Sequence, residues 1–309
     1  MTLIVKISIF TLLFSFLGSA QQLPQYSQWY FNQFNGNPAH AGIKRCIDVH
    51  SLYRNQWVGF DGSPKSGFLT VSIPLYKQRK QYLSARQGTG FKFERDQIGQ
   101  FSTSRLNIAY AAHFNFDKHK RLSLGLYAGV IQMSYDPTNT AVTDLDIAVF
   151  NQVSAVSPDA TFGAWFNDEN YFLGLSLQNM IPTRWEKVGI NSKTLFHIAF
   201  NAGYQYSISE NVSLIPAFNL RIPAKGKADI DLNLFLDIQN TIGLGIGYRN
   251  TDAIIAFFSV KINQQFALNY SFDYTLSDIQ KGAKNTHEVS IRFSTCKIKK
   301  TKTASCPLF

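Results

Sequence analysis

The chain has 309 residues, of which 14% are aromatic and 16% are charged, and its formal net charge is +10. Soluble domains usually carry about 25% charged residues, so this composition disfavours an ordinary soluble domain. The mean hydropathy is −0.10, and no apolar run after residue 20 approaches the roughly 20 residues that a membrane-crossing helix needs. A helical membrane protein is therefore excluded.

Residues 1–20 have the pattern of a secretory signal peptide. Lys6 supplies the basic start, residues 7–17 are apolar, and Gly18-Ser19-Ala20 provides the small residues that a signal peptidase requires. The alternative is a membrane anchor, for which the apolar run is short. We expect cleavage after Ala20 and export of the chain that begins at Gln21.

The basic residues are scattered over predicted turns, with small clusters such as 77–80 and 117–121. A basic balance can indicate nucleic acid as a partner, but an exported protein rarely meets it. We therefore expect no nucleic-acid partner. The anionic headgroups of a lipid bilayer are the simpler counter-charge.

Residues 21–48 are rich in Gln, Asn and aromatic side chains and lack the periodicity of a spanning strand. Asn37-Pro38 and Ala41-Gly42 are typical of turns. The stretch predicts a periplasmic N-terminal arm or a plug-like segment, whose aromatic side chains pack under a barrel or lie at an interface.

Residues 49–295 contain about fourteen segments in which large apolar side chains alternate with small or polar ones. Such alternation places one kind of side chain on each face of a strand, and most segments have the 9–11 residues of a tilted membrane-spanning strand. The segments are 49–59, 66–75, 87–95, 102–116, 121–133, 159–167, 170–179, 195–207, 211–221, 229–238, 241–249, 252–261, 265–273 and 286–295.

This pattern predicts an all-β fold, a transmembrane antiparallel β-barrel of about 14 strands. The connections support it, because those after even-numbered strands are short and those after odd-numbered strands are longer, as in outer-membrane barrels. Two connections disobey: 76–86 is long and 250–251 is short. The alternative is a soluble β sandwich or propeller, which would carry more charge.

Charged residues on the predicted inner face include three aspartates and three arginines. They form either a selectivity lining or a charge network that fills the lumen. These residues are Asp231, Asp237, Asp273, Arg105, Arg249 and Arg292.

The sequence has no hydrolase, P-loop, zinc-protease or dinucleotide motif, and its six His residues are dispersed. We therefore expect no catalytic residues, no metal site and no cofactor. The three cysteines lack the short paired spacing of a zinc site. Cys296 and Cys306 either form a disulfide or stay as unpaired thiols, and residues 296–309 form a basic C-terminal tail.

Three short motifs resemble the N-terminal signature of the PorP/SprF family of type IX secretion-associated outer-membrane proteins of Bacteroidetes. His40 stands where an aromatic residue is more usual. The motifs are Gln25-Tyr26-Ser27-Gln28, Asn37-Pro38-Ala39-His40-Ala41-Gly42 and Tyr53-Arg54-Asn55-Gln56-Trp57, followed by Gly59 and Pro64.

The resemblance implies a non-enzymatic, multi-pass protein of the Gram-negative outer membrane. Members are thought to help secrete or anchor large surface adhesins, including those of gliding motility, by holding the C-terminal domain of the adhesin. They act beside the type IX secretion and gliding machinery in the periplasm and outer membrane. A porin-like channel or transporter for small solutes is the alternative.

The motif residues are candidate partner-binding residues, or they close the base of the barrel. They are Asn37, Pro38, Ala39, Gly42, Tyr53, Arg54, Asn55, Gln56 and Trp57.

Overall fold

The computed structural model describes residues 23–75, 85–117, 119–137, 152–186, 188, 192–250, 252–282 and 284–295. The predicted signal peptide and the basic tail lie outside these ranges. The strands are β1 Asp48–Asn55, β2 Lys65–Pro74, β3 Arg86–Ile98, β4 Phe101–Asn115, β5 Arg121–Tyr135, β6 Val153–Asn167, β7 Tyr171–Gln178, β8 His197–Tyr204, β9 Tyr206–Ser209, β10 Val212–Pro223, β11 Asp229–Ile238, β12 Ile242–Arg249, β13 Ala253–Lys261, β14 Phe266–Thr275 and β15 Thr286–Ser294.

These strands form one closed antiparallel barrel. β1 pairs with β15 and β10 pairs with β11, so the described sheet has no open edge between its first and last members. β8 and β9 both pair with β10 and are separated only by Gln205, so together they make one position in the wall. The described residues therefore give fourteen positions, and the predicted 14-stranded barrel is confirmed.

The outer surface of the wall is apolar and its inner surface is polar. On β12, Ile246 points outward and is 63% exposed, whereas Arg249 points inward and is 1% exposed. Ile108 on β4 is likewise 67% exposed, while its neighbour Asn107 is buried. Only a closed barrel or a helix satisfies its backbone in hydrocarbon, so the apolar outer face is the lipid-facing one. No helix within the described ranges is long and apolar enough to cross a membrane.

The two ends of the barrel differ in the length of their connections. One end, here called the turn end, has short connections such as 116–120, 168–170 and 210–211; the other, the loop end, carries 136–152 and 179–196. In outer-membrane barrels the short turns are periplasmic, so the loop end faces outward from the cell.

Most strand limits agree with the sequence pattern to within a few residues, but β1 and β6 differ. β1 ends at Asn55 rather than at residue 59, because Trp57 and Gly59 have φ angles of 55° and 89°, which turn the chain out of the strand. β6 begins at Val153 rather than at residue 159. Its first part contains Pro158 and few large side chains, so its alternation is weak in the sequence.

Residues 23–47, here called the lumenal segment, lie inside the barrel. The segment contains three short helical turns, Ser27–Tyr30, Gln33–Gly36 and Pro38–His40. Most of its side chains are buried against inward-facing residues of the wall, whereas Arg45 and Ile47 near its end are exposed. The described part of residues 21–48 therefore packs inside the barrel, and a role for it as an arm or as a plug stays a prediction.

The lumenal segment crosses the barrel from the loop end to the turn end. Near its start, the amide Nε2 of Gln25 donates to Asp229 Oδ2 at 2.6 Å, beside the 224–228 loop. Near its end, Arg121 Nη1 beside the 116–120 turn donates to the carbonyl oxygen of Ile43 at 2.9 Å. Tyr30 stacks on Phe235 halfway across, with ring centroids 4.1 Å apart.

Candidate functional site

The motif at residues 37–42 fixes the lumenal segment to the wall. Asn37 Nδ2 donates to the carbonyl oxygens of Ala164 and Leu175, at 3.0 and 3.1 Å, which lie on β6 and β7. Its Oδ1 accepts from the amide of Ala39 at 3.0 Å and so caps the turn Pro38–His40. Asn37 is 1% exposed. Its buried amide is thus satisfied on one side by the wall and on the other by its own turn.

Pro38, Ala39 and Gly42 approach the wall at backbone distance. A Cβ added to Gly125 of β5 would lie 2.5 Å from the backbone of Pro38 and Ala39. Gly42 has a φ of +66°, and a Cβ there would lie 2.5 Å from Gly88 Cα on β3. Glycines on both partners are therefore needed for this contact. The tight fit favours a role in closing the lumen.

His40 lies in the same contact, against an aromatic side chain. Its ring meets the indole of Trp165 edge-on, with centroids 4.0 Å apart, and the residue is 4% exposed. Its Nε2 is buried without a hydrogen-bond partner among the described residues. Burial lowers the pKa of His40 well below its usual value.

The motif at residues 53–57 places Arg54 in the lumen at the loop end. Its guanidinium Nη1 donates to Asp273 Oδ2 at 2.9 Å, to Ser27 Oγ at 3.1 Å and to Glu288. Glu288 also accepts the backbone amides of Ser27 and Gln28, at 2.7 and 3.0 Å. The 25–28 and 53–57 motifs of the N-terminal signature therefore meet inside the barrel, because strands β14 and β15 bring their acids to the same place.

A second arginine extends this cluster around the wall. Arg249 Nε donates to Asp231 Oδ1 at 2.7 Å, and Arg249 Nη2 donates to Ser27 Oγ at 3.0 Å. Arg221 shares Asp231, with its Nη2 3.1 Å from Oδ2. Arg54, Arg221 and Arg249 therefore form a network of buried ion pairs with their acids on the inner wall at the loop end. This favours the predicted charge network over a selectivity lining.

The other residues of the 53–57 motif do not share this site. The Tyr53 side chain points outward and is 54% exposed. Gln56 donates its backbone amide to the Pro64 carbonyl at 2.9 Å, and Trp57 donates its backbone amide to Thr286 Oγ1 at 3.2 Å. Asn55 ends β1. Gln56 and Trp57 thus shape the 56–64 loop. Partner binding by the 37–42 and 53–57 motifs stays a prediction.

Sequence reasoning placed Asp273 on the inner face and Ser27 in a motif, but it did not pair either of them, or Glu288, with Arg54. Glu288 and Ser27 are separated by 261 positions, and no spacing rule joins them. The available signal was that Glu288 and Asp273 fall on the inner face of predicted strands, where a carboxylate needs a cation.

A cavity of about 1070 Å³ remains at the loop end, beside the lumenal segment. Its walls come from residues 23–36, from β3 and β4 on one side and from β7, β8 and β10 on the other, with the 224–228 loop at its rim. Its volume is at the upper end of the range for small-ligand pockets. Among the described residues, the lumenal segment therefore packs closely against the wall towards the turn end and leaves a hollow towards the loop end.

One of the three cysteines lies within the described residues. Cys46, at the end of the lumenal segment, is disulfide-bonded. Cys296 and Cys306 lie outside the described residues, so a disulfide between them stays a prediction.

Within the part of the chain that the structure describes, no group of three or more His, Cys, Asp or Glu residues is arranged to hold a metal ion. The buried acids are instead occupied by arginine and amide donors, as at Asp231.

Comparisons with known proteins agree with this architecture. No curated protein sequence matches the chain. Among solved structures, the Ralstonia pickettii toluene transporter TbuX is 10% identical, covers 84% of this chain and 91% of its own, and has a TM-score of 0.50. The Acinetobacter baumannii outer membrane protein Omp33 is 9% identical over 82% of this chain and 99% of its own, with a TM-score of 0.45. At 10% identity, the similarity to TbuX reports on the fold alone.

The family model described as type IX secretion system membrane protein PorP/SprF matches residues 18–293. The match covers the lumenal segment and nearly the whole wall, and with the lipid-facing exterior it identifies a multi-pass outer-membrane protein. The chain therefore belongs to the PorP/SprF family of type IX secretion system membrane proteins.

Proposed function

We propose that this barrel is a non-enzymatic component of type IX secretion that helps to secrete or anchor a surface adhesin of the gliding-motility type in a Bacteroidetes bacterium. It does so by binding the C-terminal domain of the adhesin. The observation that carries the proposal is family membership over residues 18–293, together with a lumen occupied by the chain's own N-terminal segment.

The occupied lumen favours a binding role over diffusion of solutes. The lumenal segment is held by buried ion pairs at the loop end and by backbone contact with Gly125 near the turn end. Opening a channel would require breaking both. By contrast, the loops and the cavity at the loop end form a surface that a partner outside the cell reaches directly.

The same orientation suggests which end of the barrel the other partners would contact. The turn end faces the periplasm, so periplasmic parts of the secretion and gliding machinery would contact the short turns, such as 168–170 and 239–241. A pull-down of the detergent-extracted protein, followed by identification of the bound chains, tests both sets of partners.

The decisive experiment deletes the gene and measures the adhesin at the cell surface by antibody labelling of intact cells. We expect display to fall and the adhesin to be released into the medium or retained in the cell. Complementation with the wild-type chain restores display. Unchanged display in the deletion strain refutes the proposal.

The channel alternative makes the opposite prediction in planar bilayers. Purified wild-type protein should give little ion conductance if the lumenal segment stays in place. Steady conductance of porin size would support a diffusion channel and count against an anchoring role.

A further inference from the structure

The loop-end cavity has an excess of positive charge. Two acidic side chains line it, Glu94 and Asp229, against five basic ones. Lys92 and Arg105 sit deep in the cavity, and both contact Glu94, at 3.3 and 3.0 Å. Asp229 lies near the rim and already accepts a hydrogen bond from the lumenal segment. The remaining basic residues are on β10 and in the 224–228 loop, so the mouth of the cavity is its most basic part.

Arg221 lies in this mouth and shares its carboxylate partner with a second arginine. Its partner Asp231 Oδ2 is 3.1 Å away, but Asp231 is shared with Arg249, whose Nε lies only 2.7 Å from Oδ1. Arg221 Nε is buried and has no hydrogen-bond partner among the described residues. The hydrogen bond to Asp231 uses Nη2, and the planar fork of N–H donors on a guanidinium that lines a cavity suits a carboxylate. Lys225 lies exposed at the rim, so an approaching anion meets it first.

Amide and aromatic side chains form much of the remaining wall. Gln33 and Asn201 face each other, with the Asn201 amide donating to Gln33 Oε1 at 3.2 Å, and Gln178 lies nearby on β7. Amides offer both donors and acceptors, as backbone peptide groups require. Trp29 and Phe68 add apolar surface. The cavity follows residues 23–36, so it is longer than a site for a single small ion.

We propose that the loop-end cavity binds an extended, acidic peptide segment of a protein partner, whose carboxylates pair with Arg221 and Lys225. The inference rests on the proposed function, because it assumes that the partner is a secreted protein, and it specifies which part of that partner enters the barrel. The segment enters from outside the cell, along the side of the lumenal segment, without displacing it.

The test uses the full-length protein in detergent and a fluorescein-labelled peptide of alternating aspartate and glycine as the probe. The matched control peptide alternates asparagine and glycine. Fluorescence anisotropy should show the acidic peptide binding about tenfold more tightly than its amide counterpart, because only the charge differs. Raising NaCl from about 50 mM to about 300 mM should weaken that preference, since surface charges are screened. Equal binding of the two peptides, or binding of neither, overturns the proposal.

Two variants locate the site. Arg221→Gln leaves Asp231 paired with Arg249 and Asn219, so the barrel should fold, and it should weaken binding of the acidic peptide about tenfold. Lys284→Gln removes an exposed lysine from another loop at the same end and should leave binding unchanged. An equal loss in both variants shows only a general charge effect and overturns the proposed site.

Acidic glycans are the competing ligand class, and polygalacturonate is the probe for them. If it binds with dependence on Arg221 and the acidic peptide does not, the peptide assignment is wrong. Adhesin display in cells separates the two levels of the argument. Normal display after gene deletion refutes the proposed function. If deletion abolishes display, but the Arg221→Gln variant keeps display and binds no acidic peptide in vitro, only the cavity assignment is refuted.

Discussion

Replacing Arg54 with alanine should strongly destabilise the barrel, because it leaves two carboxylates buried without their main cation. The side chains of Arg54, Asp273 and Glu288 are each at most 2% exposed. Removing one partner of a buried ion pair costs about 3–5 kcal/mol. Some compensation remains, since Glu288 keeps two backbone amide donors. We therefore expect a loss near the lower limit, about 3 kcal/mol.

The assay is a urea titration of the protein refolded into lipid vesicles, followed by tryptophan fluorescence, with the free energy of unfolding taken by linear extrapolation. Arg95→Ala is the matched control. Arg95 lies on β3 with its side chain exposed, so its removal should change the free energy by no more than about 0.5 kcal/mol.

A double variant tests the cause. Adding Glu288→Gln to Arg54→Ala removes one of the stranded charges, so the two losses should combine to less than their sum, by about 1–3 kcal/mol. If Arg54→Ala alone unfolds within about 0.5 kcal/mol of wild type, the ion-pair network does not hold the lumenal segment and the reasoning fails.

Three further predictions concern the lumenal segment. Gly125→Val should drive the Ala39 backbone off the wall and produce ion conductance in planar bilayers, since a Cβ there would lie 2.5 Å from the segment. His40→Phe should raise the free energy of unfolding by about 1 kcal/mol at neutral pH, because it removes a buried polar atom without a partner while keeping a ring against Trp165. Because burial lowers the pKa of His40, this side chain takes up a proton in the unfolded chain at a higher pH than in the folded one. The free energy of unfolding therefore falls as pH drops below about 6.5, and His40→Phe should reduce this pH dependence. Leu23→Cys should react with a membrane-impermeant maleimide on intact cells, because Leu23 lines the cavity at the loop end.

Each of these has a control and a contrary result. Gly282→Val introduces the same side chain where nothing lies within 4 Å, and conductance equal to that of Gly125→Val would contradict the steric account. An unchanged pH slope in His40→Phe would mean that other groups set the acid sensitivity. Asn211→Cys, in the 210–211 turn, should stay unlabelled on intact cells; labelling there with none at Leu23 would reverse the assigned orientation.

The wall could be predicted from the sequence because its physics is local. A residue that faces lipid must be apolar and its neighbours in the strand face the lumen, so β11 was predicted at 229–238 and is Asp229–Ile238. The prediction weakened where this constraint relaxes. The start of β6 extends beyond the region of strong alternation, so Val153 to Pro158 carried no clear signal.

The interior could not be predicted in the same way. The lumenal segment has no periodicity of its own, and its position is determined by partners far along the chain, such as Glu288 for Ser27. The family motif identified Asn37 and Arg54 as special residues without indicating that both face inward. Their roles became evident only when β6, β14 and β15 were placed around them.

The central claim is that the N-terminal segment is an integral part of the barrel interior. Hydrogen–deuterium exchange measured by mass spectrometry on the protein in lipid nanodiscs tests it directly. The account predicts that peptides from residues 27–43 exchange as slowly as peptides from β4 and β5, because their amides are buried and several are bonded to the wall. Complete exchange of residues 27–43 at the earliest time point, with the strands still protected, would contradict it.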